Sequence, residues 1–301
     1  MINKRDAKRI VLICIAVLII SGVCCIFFCL SRFAPEPDSG DTESVGAENN
    51  LIITNLDVGK ADSAIIQYND TVGIIDVGTE EAFNVIDTFL KKQDIKSIDY
   101  MILTHYDQDH IGSAVEIIDS YDIGTLYIPD YVSSKKYYDE LMAEIGSLDN
   151  VYYVDSLMVF YMEDIRVEVI PADDSEALIS DEDNVDNNMS LLTKFVYGSK
   201  SFLFMGDVEK DRIAQILDSD YELSADWIKL PHHNDFTKKV EKLLSEVKPE
   251  YAISSTGDER PVEDDMVTYM EENNIKHFIT SNGNVITVCD GENITCQYAT
   301  Q

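Results

Sequence analysis

Between positions 105 and 110 the chain reads His-Tyr-Asp-Gln-Asp-His, which puts two imidazoles and two carboxylates within six residues. Gly206-Asp207 and Pro231-His232-His233 follow later, so four of the five histidines fall in two short loops. Imidazole nitrogen and carboxylate oxygen together suit zinc, manganese or iron. The first loop offers two ligand pairs, His105 with Asp107 and Asp109 with His110. Asp207 would bridge two ions, and such a pair can hold a hydroxide as nucleophile while neutralising charge on a phosphoryl oxygen. The alternative is an ion-paired surface loop with Asp109 capping a helix. The gathering of nearly all the histidines beside acids counts against it.

These groups need elements that bring them together. Each one stands where an apolar run stops: 99–103 ends before His105, 201–205 before Asp207, 227–230 before His232, 51–56 before Asp57 and 71–75 before Asp76. Strand ends project side chains into a shared crevice. Between the strand-like runs, residues 80–92, 134–145, 208–217, 238–247 and 264–273 carry apolar residues at helical spacing. Asn187-Asn188-Met189-Ser190 is read as opening a strand that runs to Tyr197, after an acidic, exposed loop over 172–186. Two similar halves, each starting with antiparallel strands and ending in alternating strands and helices, imply an α/β fold with two mixed sheets face to face and helices outside. One domain over residues 51–301 is expected.

The remainder divides by composition. Residues 1–9 are basic, 10–30 form an apolar run without charge or proline, and 31–50 are rich in Pro, Gly, Ser and acid. About 20 apolar residues cross a bilayer as a helix, and preceding basic residues hold the N-terminus in the cytoplasm. The expectation is a cytoplasmic tail, one transmembrane helix, a flexible acidic linker, and a catalytic domain outside the cell, with the membrane as a partner through that helix. The formal charge of −33 repels polyanions at long range, so a nucleic acid would have to be met locally through a divalent metal. Cys289 and Cys296 flank a turn signal at 290–293, and a disulfide across that hairpin is allowed outside the cell.

At this point the sequence resembles a known family. Residues 104–112, Thr-His-Tyr-Asp-Gln-Asp-His-Ile-Gly, are similar to the second motif of the metallo-β-lactamase superfamily. The Asp107 form is typical of the hydrolase domain of bacterial competence (DNA-uptake) proteins. Leu56-Asp57-Val58-Gly59-Lys60-Ala61-Asp62-Ser63 resembles that branch's opening motif, Asp-Val-Gly-Gln-Gly-Asp, with Lys60 and Ala61 as departures. Ile75-Asp76-Val77-Gly78, Asn187-Asn188-Met189-Ser190-Leu191, Phe204-Met205-Gly206-Asp207 and Lys229-Leu230-Pro231-His232-His233 match its later motifs in order. The set is also similar to the catalytic modules of phosphorylcholine esterases.

The resemblance implies an αββα sandwich with two divalent ions, zinc or manganese first, at its edge. Carried over, His105 and Asp107 hold one ion, while Asp109, His110 and one of His232 or His233 hold the second. Asp207 bridges, and the remaining histidine faces substrate or acts as general acid; which histidine does which stays open. The usual histidine between motif two and the bridging aspartate is absent, and Asn188 and Ser190 stand near its place as candidate substrate-binding residues. Arg260 is a candidate phosphate grip. The implied function is a metal-dependent hydrolase, a phosphodiesterase acting through a metal-bound hydroxide on DNA or on a cell-wall or choline phosphodiester. A β-lactamase proper is not expected, because the Asp107 form belongs to the phosphodiester-cleaving branches. The alternative is a non-catalytic binding module that keeps a structural metal.

Overall fold

Two large β-sheets form the centre of the unit over residues 46–301, and side-chain alternation along their strands explains why. In the computed structural model, residues 49–173, 185–257 and 260–300 are described. One sheet has eight strands in the spatial order Ile294–Tyr298, Val285–Cys289, Leu51–Asn55, Ser63–Tyr68, Thr71–Val77, Tyr100–Ile102, Leu126–Pro129 and Val151–Val154. The other has seven, in the order Lys276–Ile279, Tyr251–Ser254, Trp227–Lys229, Lys200–Phe204, Leu192–Tyr197, Ile165–Ile170 and Met158–Met162.

Successive strand residues point to opposite faces, and here both faces are buried. Ile66, Ile75 and Ile102 of the first sheet pack with Phe195, Phe202, Phe204 and Trp227 of the second between the sheets. Their neighbours Ile65, Ile74 and Met101 face outward, onto the helices Phe83–Lys92, Ala114–Ser120 and Lys136–Glu144. On the opposite side Leu203 and Ile228 pack under Lys210–Asp218, Lys238–Val247 and Asp264–Glu272. The helices obey the same logic. In Lys238–Val247 the residues Val240, Leu243, Leu244 and Val247 are buried, and the Thr237 hydroxyl caps the first turn by accepting from the Val240 N–H. Full burial of each such aliphatic or aromatic side chain contributes about 1.5–3 kcal/mol. The layer order is therefore helix, sheet, sheet, helix, as the sequence implied.

Strand direction positions the site. Thr71–Val77 runs parallel to Tyr100–Ile102, and Lys200–Phe204 runs parallel to Trp227–Lys229 and so to Tyr251–Ser254. Their C-terminal ends consequently open on one edge of the sandwich, where the loops holding Asp76, His105, Asp207, His233 and Ser255 begin.

Several expectations change. Val185–Asn188 is a short helix rather than a strand opening, and the strand starts at Leu192; the Asn187 and Asn188 side chains turn inward and are buried. The edge strand Val151–Val154 was not foreseen, because Tyr152 and Tyr153 are exposed and break the apolar alternation. Cys289 and Cys296 are free thiols. The hairpin register pairs Cys289 with Ile294 and Cys296 with Thr287, so the two sulfurs do not stand opposite one another. The expected single-pass membrane localisation, with an extracellular catalytic domain, is also corrected: among the described residues no helix is long and apolar enough to cross a membrane. The basic tail 1–9, the apolar run 10–30 and residues 31–48 of the 31–50 linker lie outside the described residues, as does 174–184 of the acidic loop.

Candidate metal centre

The histidine loop is anchored before it reaches its histidines. Asp76, at the end of Thr71–Val77, accepts from the Thr104 N–H on Oδ1 (2.7 Å) and from the Thr104 hydroxyl on Oδ2 (2.8 Å). The same Oδ2 accepts from His110 Nδ1 at 2.7 Å. One carboxylate thus fixes both ends of the motif. The short helix Gln108–Ile111 then presents Asp109 and His110 on successive positions. Across the edge, Gly206 turns the chain with φ +54°, and a side chain there would meet Ser190 Cβ at 2.8 Å. That turn aims Asp207 inward, and the Ser190 hydroxyl accepts from the Asp207 N–H at 3.2 Å. His232 and His233 both adopt left-handed backbone conformations, φ 42° and 48°. Three non-glycine residues in this rare region at one edge, Asp76 at φ 55° being the third, mark a locally strained site.

The histidines are held in one pattern. His110 Nδ1 donates to Asp76, and His233 Nδ1 donates to the Ser255 carbonyl at 3.0 Å. The Thr104 hydroxyl has given its proton to Asp76, so His105 Nδ1, 3.1 Å away, donates to it. In all three rings the Nδ1 proton is committed outward and Nε2 is left as the free position. His105 Nε2, His110 Nε2, His233 Nε2 and Asp207 Oδ1 are all buried with no hydrogen-bond partner. Asp207 Oδ2 lies 3.2 Å from both His110 Nε2 and His233 Nε2, and Asp109 Oδ2 lies 3.3 Å from His233 Nε2. Ligand atoms converge in three groups: Asp62–Asp76–His110, which gathers around the His110 Nδ1 already bonded to Asp76, and two at the inward Nε2 atoms, His105–His110–Asp207 and Asp109–His110–His233. Buried lone pairs that face one another repel unless a cation or proton stands between them. Nitrogen and oxygen donors oriented by outward Nδ1 bonds are what a zinc- or manganese-type ion requires, so the residues present fit a divalent metal.

Other expected residues are placed differently. Asp107 is in none of these groups; its Oδ1 pairs with Lys135 Nζ at 2.7 Å. His232 also stands outside them, with Nδ1 3.1 Å from Asp235 Oδ2 and 3.5 Å from Glu209 Oε1. Arg260 is ion-paired to Asp235. Asn188 Oδ1 accepts from the Glu209 and Arg212 N–H groups, ending the helix Lys210–Asp218 as a cap supplied from another loop. Asn188 and Ser190 are thus both buried in bonds that set neighbouring backbone. Sequence reasoning missed Asp62, which lies under the two histidines at 4.0 Å from His110 and 3.8 Å from His233 and is ion-paired to the buried Lys229. It also missed Lys60, whose Nζ sits 2.7 Å from Asp109 Oδ2. Both belong to the opening motif, and that adjacency was the available signal.

The electrostatics follow from packing four acids around buried imidazoles. Burial pulls the His233 imidazole down, but Asp207, Asp109 and Asp62 outweigh it and leave it raised to about 9. His110 is likewise opposed by burial yet held well above its ordinary value by Asp207 and Asp76. Burial and the neighbouring His110 charge lower His105. Burial alone would raise Asp207, but His110 and His233 drive it well below the usual carboxylate range.

A pH dependence results for the metal-stripped chain. The folded value of His233, about 9, exceeds the unfolded value near 6.5. Its contribution is therefore complete below about pH 6.5 and is lost as pH rises through 9. Calorimetry of chelated protein should show stability falling by on the order of 3 kcal/mol across that window, with added divalent ion at pH 9 restoring it, since metal and proton compete for the same nitrogens. A flat profile would show that these histidines carry no proton in the metal-free site.

The comparisons agree with this geometry. The model of the metallo-beta-lactamase superfamily matches residues 56–178, from the opening motif through the histidine loop. Over those residues the chain is similar to a metallo-beta-lactamase superfamily domain. ComE operon protein 3 of Bacillus subtilis (strain 168) is 25% identical over 278 residues, covering 85% of this chain and 32% of that protein. Competence protein ComA of Neisseria gonorrhoeae is 23% identical over 215 residues, 70% of this chain and 28% of that protein. The chain thus spans about a third of the length of these curated relatives. In fold it is similar to the metallo-beta-lactamase fold protein YhfI of Bacillus subtilis, with a TM-score of 0.52 at 11% identity over 77% of this chain and 96% of that one.

Proposed function

We propose that this protein is a metal-dependent hydrolase that cleaves phosphodiesters. The observation that carries the reading is the convergence of three buried, unpartnered Nε2 atoms and Asp207 at the edge of a metallo-beta-lactamase fold. His105, His110 and Asp207 would hold one divalent ion; Asp109 and His233, with Asp207 in reach, would hold a second, because the single lone pair on His110 Nε2 serves one ion only. An ion so held supplies Lewis acidity toward a phosphoryl oxygen. The chain's own residues do the rest. Asp76, Thr104 and Ser255 keep the three rings oriented with Nε2 inward. His232 is the histidine left over, 21% exposed and tied through Nδ1 to Asp235 and Glu209. Its hydrogen bond, with burial opposing and Arg260 assisting, holds the Asp235 carboxyl down to about 2. Asp235 stays ionised and orients His232, which in this proposal gives a proton to the leaving oxygen.

Two substrate classes follow from different observations. Similarity to a competence protein favours a nucleic-acid phosphodiester, whereas the formal charge of −33 favours a small or zwitterionic one. The test is hydrolysis of bis(p-nitrophenyl) phosphate by the full chain with zinc, manganese, iron or cobalt, beside a gel assay on single- and double-stranded DNA. Turnover in the first arm is expected; no turnover by folded protein with any of the four metals would contradict the proposal. Cleavage in the DNA arm assigns the polymer, and its absence assigns the small substrate.

A further inference from the structure

The two ligand groups of the centre are not equivalent, and the reason is a lysine. Lys60 Nζ lies 2.7 Å from Asp109 Oδ2, the same oxygen that stands 3.3 Å from His233 Nε2. The ammonium therefore sits on the carboxylate oxygen that would serve the Asp109–His110–His233 group. Among the described residues no lysine or arginine is paired with Asp207, the carboxylate of the other group. Lys135 binds Asp107, which belongs to neither, and Lys229 binds Asp62 beneath the histidines. Lys60 is well placed to stay. It is carried on the turn between Leu51–Asn55 and Ser63–Tyr68, where the Asp62 N–H donates to the Asp109 carbonyl at 3.0 Å. That bond ties the lysine-bearing loop to the residue it neutralises.

We infer that Lys60 is a resident cation that makes the two metal positions unequal, so that the chain takes one divalent ion firmly at His105–His110–Asp207 and a second only weakly beside Lys60. The inference rests on the metal-centre reading above. Its physical basis is like-charge repulsion: an ammonium bound to a ligand oxygen lies within a few ångström of any ion that shares it, in a partly buried setting where screening is weak. An uncharged side chain at position 60 removes that repulsion and frees the oxygen. Outer-shell groups of this kind change metal affinity by about 10- to 100-fold.

The test is isothermal titration of chelator-stripped, full-length protein with Mn²⁺ at pH 7, with bound metal counted after desalting and the melting temperature of each stripped variant recorded as a check on folding. The wild type should retain one equivalent and bind a second weakly. Lys60→Gln should bind the second ion about 10- to 100-fold more tightly, while Lys60→Arg, which keeps the charge, and Lys135→Gln, which removes a charge from Asp107, should behave as wild type. If Lys60→Gln fails to fold, Lys60→Met carries the same prediction. Two equal equivalents in the wild type, no change in the neutral Lys60 variant, or an equal gain in Lys135→Gln would each overturn the inference while leaving the metal centre standing. Retention of no ion by any folded variant would overturn both.

Discussion

Asp207→Asn is expected to leave the chain folded while reducing divalent-metal affinity by more than about 100-fold, beyond the range typical of outer-shell groups, and abolishing phosphodiester hydrolysis. Asp207 is 2% exposed, and its Oδ2 stands 3.2 Å from the Nε2 atoms of both His110 and His233. It is the acid common to the inward faces of these two histidines, and the amide that replaces it is nearly isosteric but carries no charge. The fold survives because Asp207 is held by its backbone, through the Ser190 hydroxyl, rather than by its side chain. There is a cost in the metal-free state: the charges of His110 and His233 lose the carboxylate that holds them. Metal titration, a melting curve and a hydrolysis assay on one preparation read all three consequences. A binding module with a purely structural ion would instead unfold on this substitution, so folded, metal-poor, inactive protein separates catalysis from that alternative.

Asp76 carries the second large effect, and it splits between two substitutions. Its carboxylate accepts three bonds, from the Thr104 N–H, the Thr104 hydroxyl and His110 Nδ1, at 1% exposure. Asp76→Ala leaves all three donors buried without an acceptor and adds left-handed backbone strain at φ 55°, since alanine tolerates that region less well than Asp or Asn. Breaking a buried charged network in this way costs about 3–5 kcal/mol. Asp76→Asn keeps the backbone conformation and one acceptor. Its amide N–H₂ would, however, face His110 Nδ1–H, which forces the ring to give up either its proton position or its orientation. The Asn variant should therefore be the more stable of the two and still lose about 10- to 100-fold in metal affinity. Denaturant unfolding and metal titration of both variants check the pair; equal stability of Ala and wild type would show that Asp76 does not hold the loop.

The layered fold was legible in the sequence because its signal is local. Runs such as 72–75 and 202–204 are apolar on both faces, and helices such as 238–247 carry a clean apolar stripe. The polar residues at strand ends pointed to the site for the same reason. What the sequence could not supply were relations between distant segments. Which of His232 and His233 turns inward depended on which ring finds a carbonyl behind it, and that carbonyl belongs to Ser255, just past a strand and 22 positions away. Asp107 matched a ligand position in its motif, yet Lys135 reaches it from the loop before Lys136–Glu144. Asn188 sat beside a motif serine and read as a substrate contact, whereas its side chain caps a helix more than twenty residues on. Lys60 looked like a simple departure from a family pattern until its ammonium was found on Asp109.

The most direct measurement is an anomalous-scattering map from crystals of the full chain grown or soaked with Mn²⁺ or Zn²⁺. A peak among His105 Nε2, His110 Nε2 and Asp207 is the predicted result, with a weaker one beside Asp109 and His233. Ordered crystals at saturating metal with no peak at these atoms, or with a peak only at surface carboxylates, would contradict the account.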